Sequence, residues 1–191
     1  GANYNLLAYA FYLLGFFLIL KMKKGTYKSI VQGIMLFIVF LTHQKLGAGY
    51  FIAIVVYEII NKDIKSLFKE LLTAFILLLT FLAYLYLQNN LYNFIDYTIL
   101  GIGEFGGNNW NIEGNIFTIL LFLLLPIMTL VTTIITIKAI KSNLNLTNEK
   151  EIINHMLTHL AFSICAYIII IPIINIYHVY LASILSIVSL M

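Results

Sequence analysis

Apolar residues gather along the chain into runs separated by short polar islands, at 5–20, 29–41, 46–60, 71–87, 116–137, 152–171 and 179–191. A helix needs roughly 20 apolar residues to cross a bilayer core, with a range of about 17–25, so these runs predict membrane helices. The second and third runs are short and nearly fused. They predict a tight helical hairpin with its tip at Thr42-His43-Gln44-Lys45, one long broken helix being the alternative. The pattern predicts an all-α, polytopic helical membrane protein of about seven crossings, with residues 1–191 forming a single transmembrane domain. In the long polar segment 88–115, Leu91-Tyr92-Asn93-Phe94-Ile95-Asp96-Tyr97 mixes aromatic and polar residues and predicts a helix lying in the interface.

Composition agrees. Of the 191 residues 62% are hydrophobic and only 10% charged, with a mean hydropathy of +0.99. Soluble domains carry about 25% charged residues, so a soluble globular domain is excluded, as is a disordered chain. The single Cys165 rules out a disulfide framework and a cysteine-built zinc site. All 11 basic residues are lysine, which leaves nothing for bidentate phosphate or base recognition and argues against nucleic acid as a partner.

The positions of the lysines orient the chain. Lys21, Lys23, Lys24 and Lys28 follow the first run, Lys62, Lys65 and Lys69 the third, and Lys138, Lys141 and Lys150 the fifth. These are alternate loops, and the positive-inside rule assigns them to the cytoplasm. The hairpin tip at 42–45, the segment 88–115 and the turn at 172–178 then share the extracytoplasmic face. Lysine in place of all arginine, with many isoleucines and asparagines, fits a prokaryotic source with an AT-rich genome, and so an expected place in a prokaryotic plasma membrane.

Several motifs compete for a chemical role. Gly101-Ile102-Gly103-Glu104-Phe105-Gly106 has the glycine spacing of dinucleotide-binding loops. That motif works only between a buried strand and a helix, so here it reads as a flexible segment able to move over a bound lipid. His155 and His159 are four apart on one helix face but lack the third ligand a catalytic zinc requires. Two interfacial histidines are the simpler reading. Asn148-Glu149-Lys150-Glu151 resembles a capping box, a structural device. The pattern indicates no cofactor, and a divalent metal is left open.

Lys45 breaks the bias of every other lysine, and His43 and Gln44 flank it. Together they offer an anionic headgroup one point charge, one titratable donor and one amide. A solvated loop lysine is the plain alternative. Asn175 and His178, three apart in the turn after Pro172, face the same way on a helical turn. Here the plain alternative is a helix cap.

Two of these segments resemble signatures of GT-C-type membrane glycosyltransferases, the group of protein mannosyltransferases and lipopolysaccharide core glycosyltransferases. Thr42-His43-Gln44-Lys45-Leu46-Gly47 is similar to their threonine, lysine, glutamine, two variable residues and glycine. Thr42, Gln44 and Gly47 match, His43 replaces the lysine, and Lys45 restores a charge two positions later. Ile171-Pro172-Ile173-Ile174-Asn175-Ile176-Tyr177-His178 is similar to their tyrosine–proline, two residues, aspartate, two residues, histidine. Pro172 and His178 match, while Ile171 and Asn175 replace the tyrosine and the aspartate.

The resemblance implies transfer of a sugar from a polyprenyl-phosphate donor to an unidentified acceptor on the extracytoplasmic face. It places His43, Gln44, Lys45, Asn175 and His178 at the donor phosphate and sugar. Asn175, lacking a carboxylate, contributes hydrogen bonding only. The resemblance also implies that these residues are the later part of a longer enzyme whose catalytic carboxylate lies upstream, with Glu104 and Asp96 as second choices. Membrane lipid is the other expected partner. A lipid or anion transporter or flippase is the alternative class, though it needs ionisable groups at mid-membrane depth. Glu58 lies near a helix end, and the middles of the runs are almost bare of charge. A surface-polysaccharide polymerase or ligase is a third reading, with arginine-bearing outer loops that this chain lacks.

Overall fold

The computed structural model describes residues 2–96, 111–113, 115–142, 148–170 and 173–190. In chain order the helices are α1 (Ala2–Lys21), α2 (Thr26–Thr42), α3 (Gln44–Asn61), α4 (Ile64–Leu87), the short α5 (Leu91–Ile95), α6 (Ile116–Ser142), α7 (Glu149–Ala166) and α8 (Ile176–Leu190). A 3-10 turn, Tyr167–Ile170, extends α7. Each apolar run lies in its own helix, apart from its terminal residues at 171 and 191, which fall outside the described residues. Three of the described helical stretches are long and apolar enough to cross a membrane: Ile64–Leu87, Ile116–Ser142 and Glu149–Ile170. Phe75 on α4 and Leu124 and Ile135 on α6 are exposed, giving these helices the apolar outer surface that a bilayer covers.

The hairpin forms in preference to a broken helix. α2 ends at Thr42, α3 begins at Gln44, and His43 alone joins them in an extended conformation. The two helices pack antiparallel, close enough that a Cβ on Gly47 would lie 2.5 Å from the Phe40 backbone. At the other end of α3, Lys62 turns the chain in the left-handed conformation (φ 56°). Asp63 then caps α4, accepting from the Ser66 N–H at 3.1 Å and the Ser66 hydroxyl at 2.9 Å. This capped start lies at Ile64, seven residues before the apolar run at 71, because Lys65, Lys69 and Glu70 interrupt the hydrophobic pattern of a helix that is already under way.

α2 packs against α1, α3 and α4, while α3 packs on α7, and α8 packs on α6 and α7. The centre is aromatic. Tyr12, Tyr50 and Phe162, from α1, α3 and α7, meet edge to face with ring centroids 5.5–5.6 Å apart, and the Tyr12 hydroxyl donates to the Phe162 carbonyl at 2.7 Å. Gly49 lets α3 meet α7 backbone to backbone, since a Cβ there would lie 2.5 Å from the Cys165 carbonyl oxygen. Close approach at small residues is the usual basis of helix association in lipid, where burial of apolar surface gives little drive.

Among the described residues the fold is all-helical apart from two three-residue strands. β1 (Asn111–Glu113) pairs in parallel with β2 (Ile173–Asn175), so the long polar segment is tied to the turn before α8. α5 is shorter than the expected interfacial helix and folds back on α4, Phe94 meeting Phe81 edge to face at 5.4 Å. The glycine-rich stretch 101–106 lies outside the described residues.

Candidate functional site

The hairpin tip gathers most of the residues singled out from sequence. His43 is the N-cap of α3, its Nδ1 accepting from the Leu46 backbone N–H at 3.3 Å. That bond leaves the proton of the neutral ring on Nε2. Burial, then repulsion from His178 and from Lys45, pushes the His43 pKa down to about 4. Lys45 and His178 therefore each lie within electrostatic reach of His43, although 135 positions separate His43 from His178. With that pKa the His43 ring is neutral at physiological pH.

His178 is half-buried near the start of α8, and Asn5 on α1 stands 3.1 Å from its Nε2 through Nδ2. Asn5 was missed in the sequence because an asparagine at the start of an apolar helix reads as an end signal. Its position opposite the start of α8 is what gives it a role. Gln44 opens α3 beside His43 and is half-buried. Asn175 lies in β2, in register with Glu113. Asp96 is exposed at the end of α5, away from any described partner role, and Glu104 lies outside the described residues.

One helical turn below the tip, an apolar groove of about 360 Å³ opens between α2, α3 and α4. Phe37 and Phe40, Ala48 and Phe51, and Phe75 line it. Lys45 and Ala48 are three apart and share a face of α3, so the ammonium-bearing residue sits above the groove.

The opposite end holds a polar cluster that sequence reasoning did not find. Glu70, in the second turn of α4, is fully buried, and Glu58 and Lys28 are buried with it. The Lys28 ammonium donates to the Ile19 carbonyl and to the Tyr57 hydroxyl, the latter at 2.6 Å, and lies 4.7 Å from the centre of the Tyr57 ring. The Glu58 carboxyl faces that of Glu70, close enough for the two carboxyls to share a hydrogen bond. Next along α2, Gln32 donates to the Gly15 carbonyl at 3.4 Å and accepts from the Tyr50 hydroxyl. The signal was present: Lys28 and Gln32 are four apart on an otherwise apolar helix, which puts a polar stripe on its inner face.

The two α7 histidines separate. His159 stacks on Phe16 at 5.2 Å, and His155 is exposed near the lysine-rich helix ends. Among the described residues no group of three or more His, Cys, Asp or Glu is placed to hold a metal ion. Asn148 stands at the start of α7 as expected, but its side chain makes no capping hydrogen bond. No protein-family model, curated protein or solved structure matches this chain.

Proposed function

We propose that the chain belongs to a multi-pass membrane glycosyltransferase of the GT-C type, with the hairpin end on the extracytoplasmic side of a prokaryotic plasma membrane. The observation that carries this reading is that Lys45 and His178 gather around His43 at the hairpin tip, next along α2 and α3 to a wholly apolar groove. A polyprenyl-phosphate sugar has that shape, an anionic head on an apolar tail. The first isoprene units occupy the groove, and the phosphate meets the Lys45 ammonium and the His43 Nε2–H. His178, held by Asn5, contacts phosphate or sugar.

In the transfer step the acceptor hydroxyl oxygen attacks the anomeric carbon. The bond from that carbon to the phosphate oxygen breaks, and the phosphate leaves with the electron pair. The hydroxyl proton passes to a carboxylate, which the resemblance assigns to sequence upstream of these residues. Lys45 acts where charge develops, on the leaving phosphate, and a donor so placed is worth about 10²–10³-fold in rate. Transfer by the full-length enzyme from a polyprenyl-phosphate sugar in proteoliposomes tests this. Lys45→Ala should lower the rate about 100-fold and His178→Ala about tenfold. Unchanged rates in both variants would overturn the assignment.

Transport of a lipid or anion is the second reading, and one observation favours it. Glu70 and Glu58 are buried ionisable groups within helices, the kind of residue that marks ion and proton paths in membranes. A flux assay in the same proteoliposomes separates the two. Flux lost in Glu70→Gln, with no sugar transfer by the wild type, would replace the transferase reading.

A further inference from the structure

At the end of the bundle opposite the hairpin tip, the last turn of α1, the linker to α2, the start of α2, the end of α3 and the start of α7 enclose a cavity of about 540 Å³. Ligand sites commonly occupy about 300–1,000 Å³. Lys21, Lys23, Lys24, Lys28 and Lys150 line this cavity, with Glu151 the one carboxylate among its described walls. Asn61, Asn154 and His155 add neutral polar groups, and Asn154 donates to Asn61 at 3.3 Å. Glu58 and Asp63 interact electrostatically with Lys24, and Glu58 and Glu70 with Lys28, so these carboxyls offset part of the positive charge without lining the cavity.

Two features distinguish this end from an ordinary solvated lysine loop. Lys28 is buried and fixed by the Ile19 carbonyl and the Tyr57 hydroxyl, so one wall carries a pre-positioned ammonium group. The first turn of α7 also forms part of the wall, and the Asn148 side chain does not cap its backbone N–H groups. A helix start beside a cavity lined by five lysines suits a tetrahedral oxyanion. The bias of lysines toward the cytoplasmic face needs only net charge on that side, and neither a cavity nor a buried, oriented lysine.

We propose that this cavity binds a phosphate group, the chemistry shared by an anionic phospholipid headgroup and a soluble phosphate ester. Basic pockets between membrane helices at the cytoplasmic surface recognise lipid headgroups by this means. The assignment is independent of the transfer reaction at the hairpin end, because it uses none of the same residues.

Binding to the full chain in nanodiscs tests it with two probes: phosphatidylglycerol against a phosphatidylcholine background, read by native mass spectrometry, and inorganic pyrophosphate, read by calorimetry. Lys24→Gln combined with Lys150→Gln should weaken binding of the effective probe about 25-fold, near fivefold for each lysine. Lys138→Gln combined with Lys141→Gln removes the same charge from the exposed end of α6, outside the cavity, and should leave binding unchanged. Selective retention of phosphatidylglycerol assigns the site to a lipid headgroup, and saturable pyrophosphate binding assigns it to a soluble phosphate. Either result supports the site if the first pair loses binding and the second keeps it. Failure of both probes, or equal loss in both pairs, would overturn the proposal and leave only surface charge.

Discussion

The α2–α3 hairpin carries polar chemistry at both ends, and the two ends solve the problem of charge beside apolar helices differently. At the tip, Lys45 and His43 are half-buried, and His43 is held neutral. At the open end, Lys28, Glu58 and Glu70 are buried inside the packing of α2, α3 and α4, with Tyr57 and a backbone carbonyl as partners of the lysine. A half-buried donor can still meet a ligand arriving from outside the bundle. A buried network first holds helices together and serves a ligand only where one of its members reaches a cavity wall, as Lys28 does. This contrast separates a half-buried polar tip from a buried structural anchor within one hairpin.

The sharpest way to break the comparison is to remove the anchor. Lys28→Met leaves the Tyr57 hydroxyl and the Ile19 carbonyl without their charged partner, and the loss of such hydrogen bonds costs about 1.5–3 kcal/mol each. Thermal unfolding of the full chain in detergent should show a clearly lower midpoint, whereas Lys45→Ala should leave it nearly unchanged. Equal midpoints would erase the distinction between the two ends. Gly49→Ala comes next. Its Cβ would drive α3 away from the Cys165 carbonyl of α7, an overpacking cost of about 1–3 kcal/mol that the same measurement reads. Asp63→Ala removes the cap that starts α4 at the buried end and should cost about 1 kcal/mol, with Asp63→Asn recovering most of it.

The smallest effect concerns protonation. The His43 pKa in the fold, about 4, lies below the ordinary 6.5, so the neutral ring stabilises the native state. That contribution is complete above about pH 6.5 and is lost as the pH falls from there toward about 4. The His43 ring resonances in a labelled full chain should therefore stay flat between about pH 5.5 and 8. A midpoint near 6.5 would mean that the ring is solvated and that the tip is not the semi-enclosed site described.

The same contrast governs what the sequence reveals. The tip is legible because four polar residues interrupt two apolar runs, and Lys45 stands against the bias of every other lysine. The anchor is hidden because Glu70 and Lys28 flank charged loops, where such residues normally point to water. Only the turn of α4 that precedes the apolar run carries Glu70 inward. The β1–β2 pairing is likewise invisible, since three residues cannot display an alternating pattern, and its partners are 62 positions apart. Asn175 was picked for its spacing to His178, but it enters the structure through that strand pairing, a contact between loops that local periodicity does not encode.

The central claim, that the hairpin tip and the groove beneath it hold a polyprenyl phosphate, is tested most directly by photo-crosslinking. A polyprenyl phosphate bearing a diazirine in its first isoprene units would be bound to the full chain in proteoliposomes and its attachment sites mapped by mass spectrometry. The account predicts labelling at Phe37, Phe40 and Phe51, with a yield about tenfold lower in Lys45→Ala. Labelling spread over the exposed faces of α4 and α6, or a yield indifferent to Lys45, would contradict it.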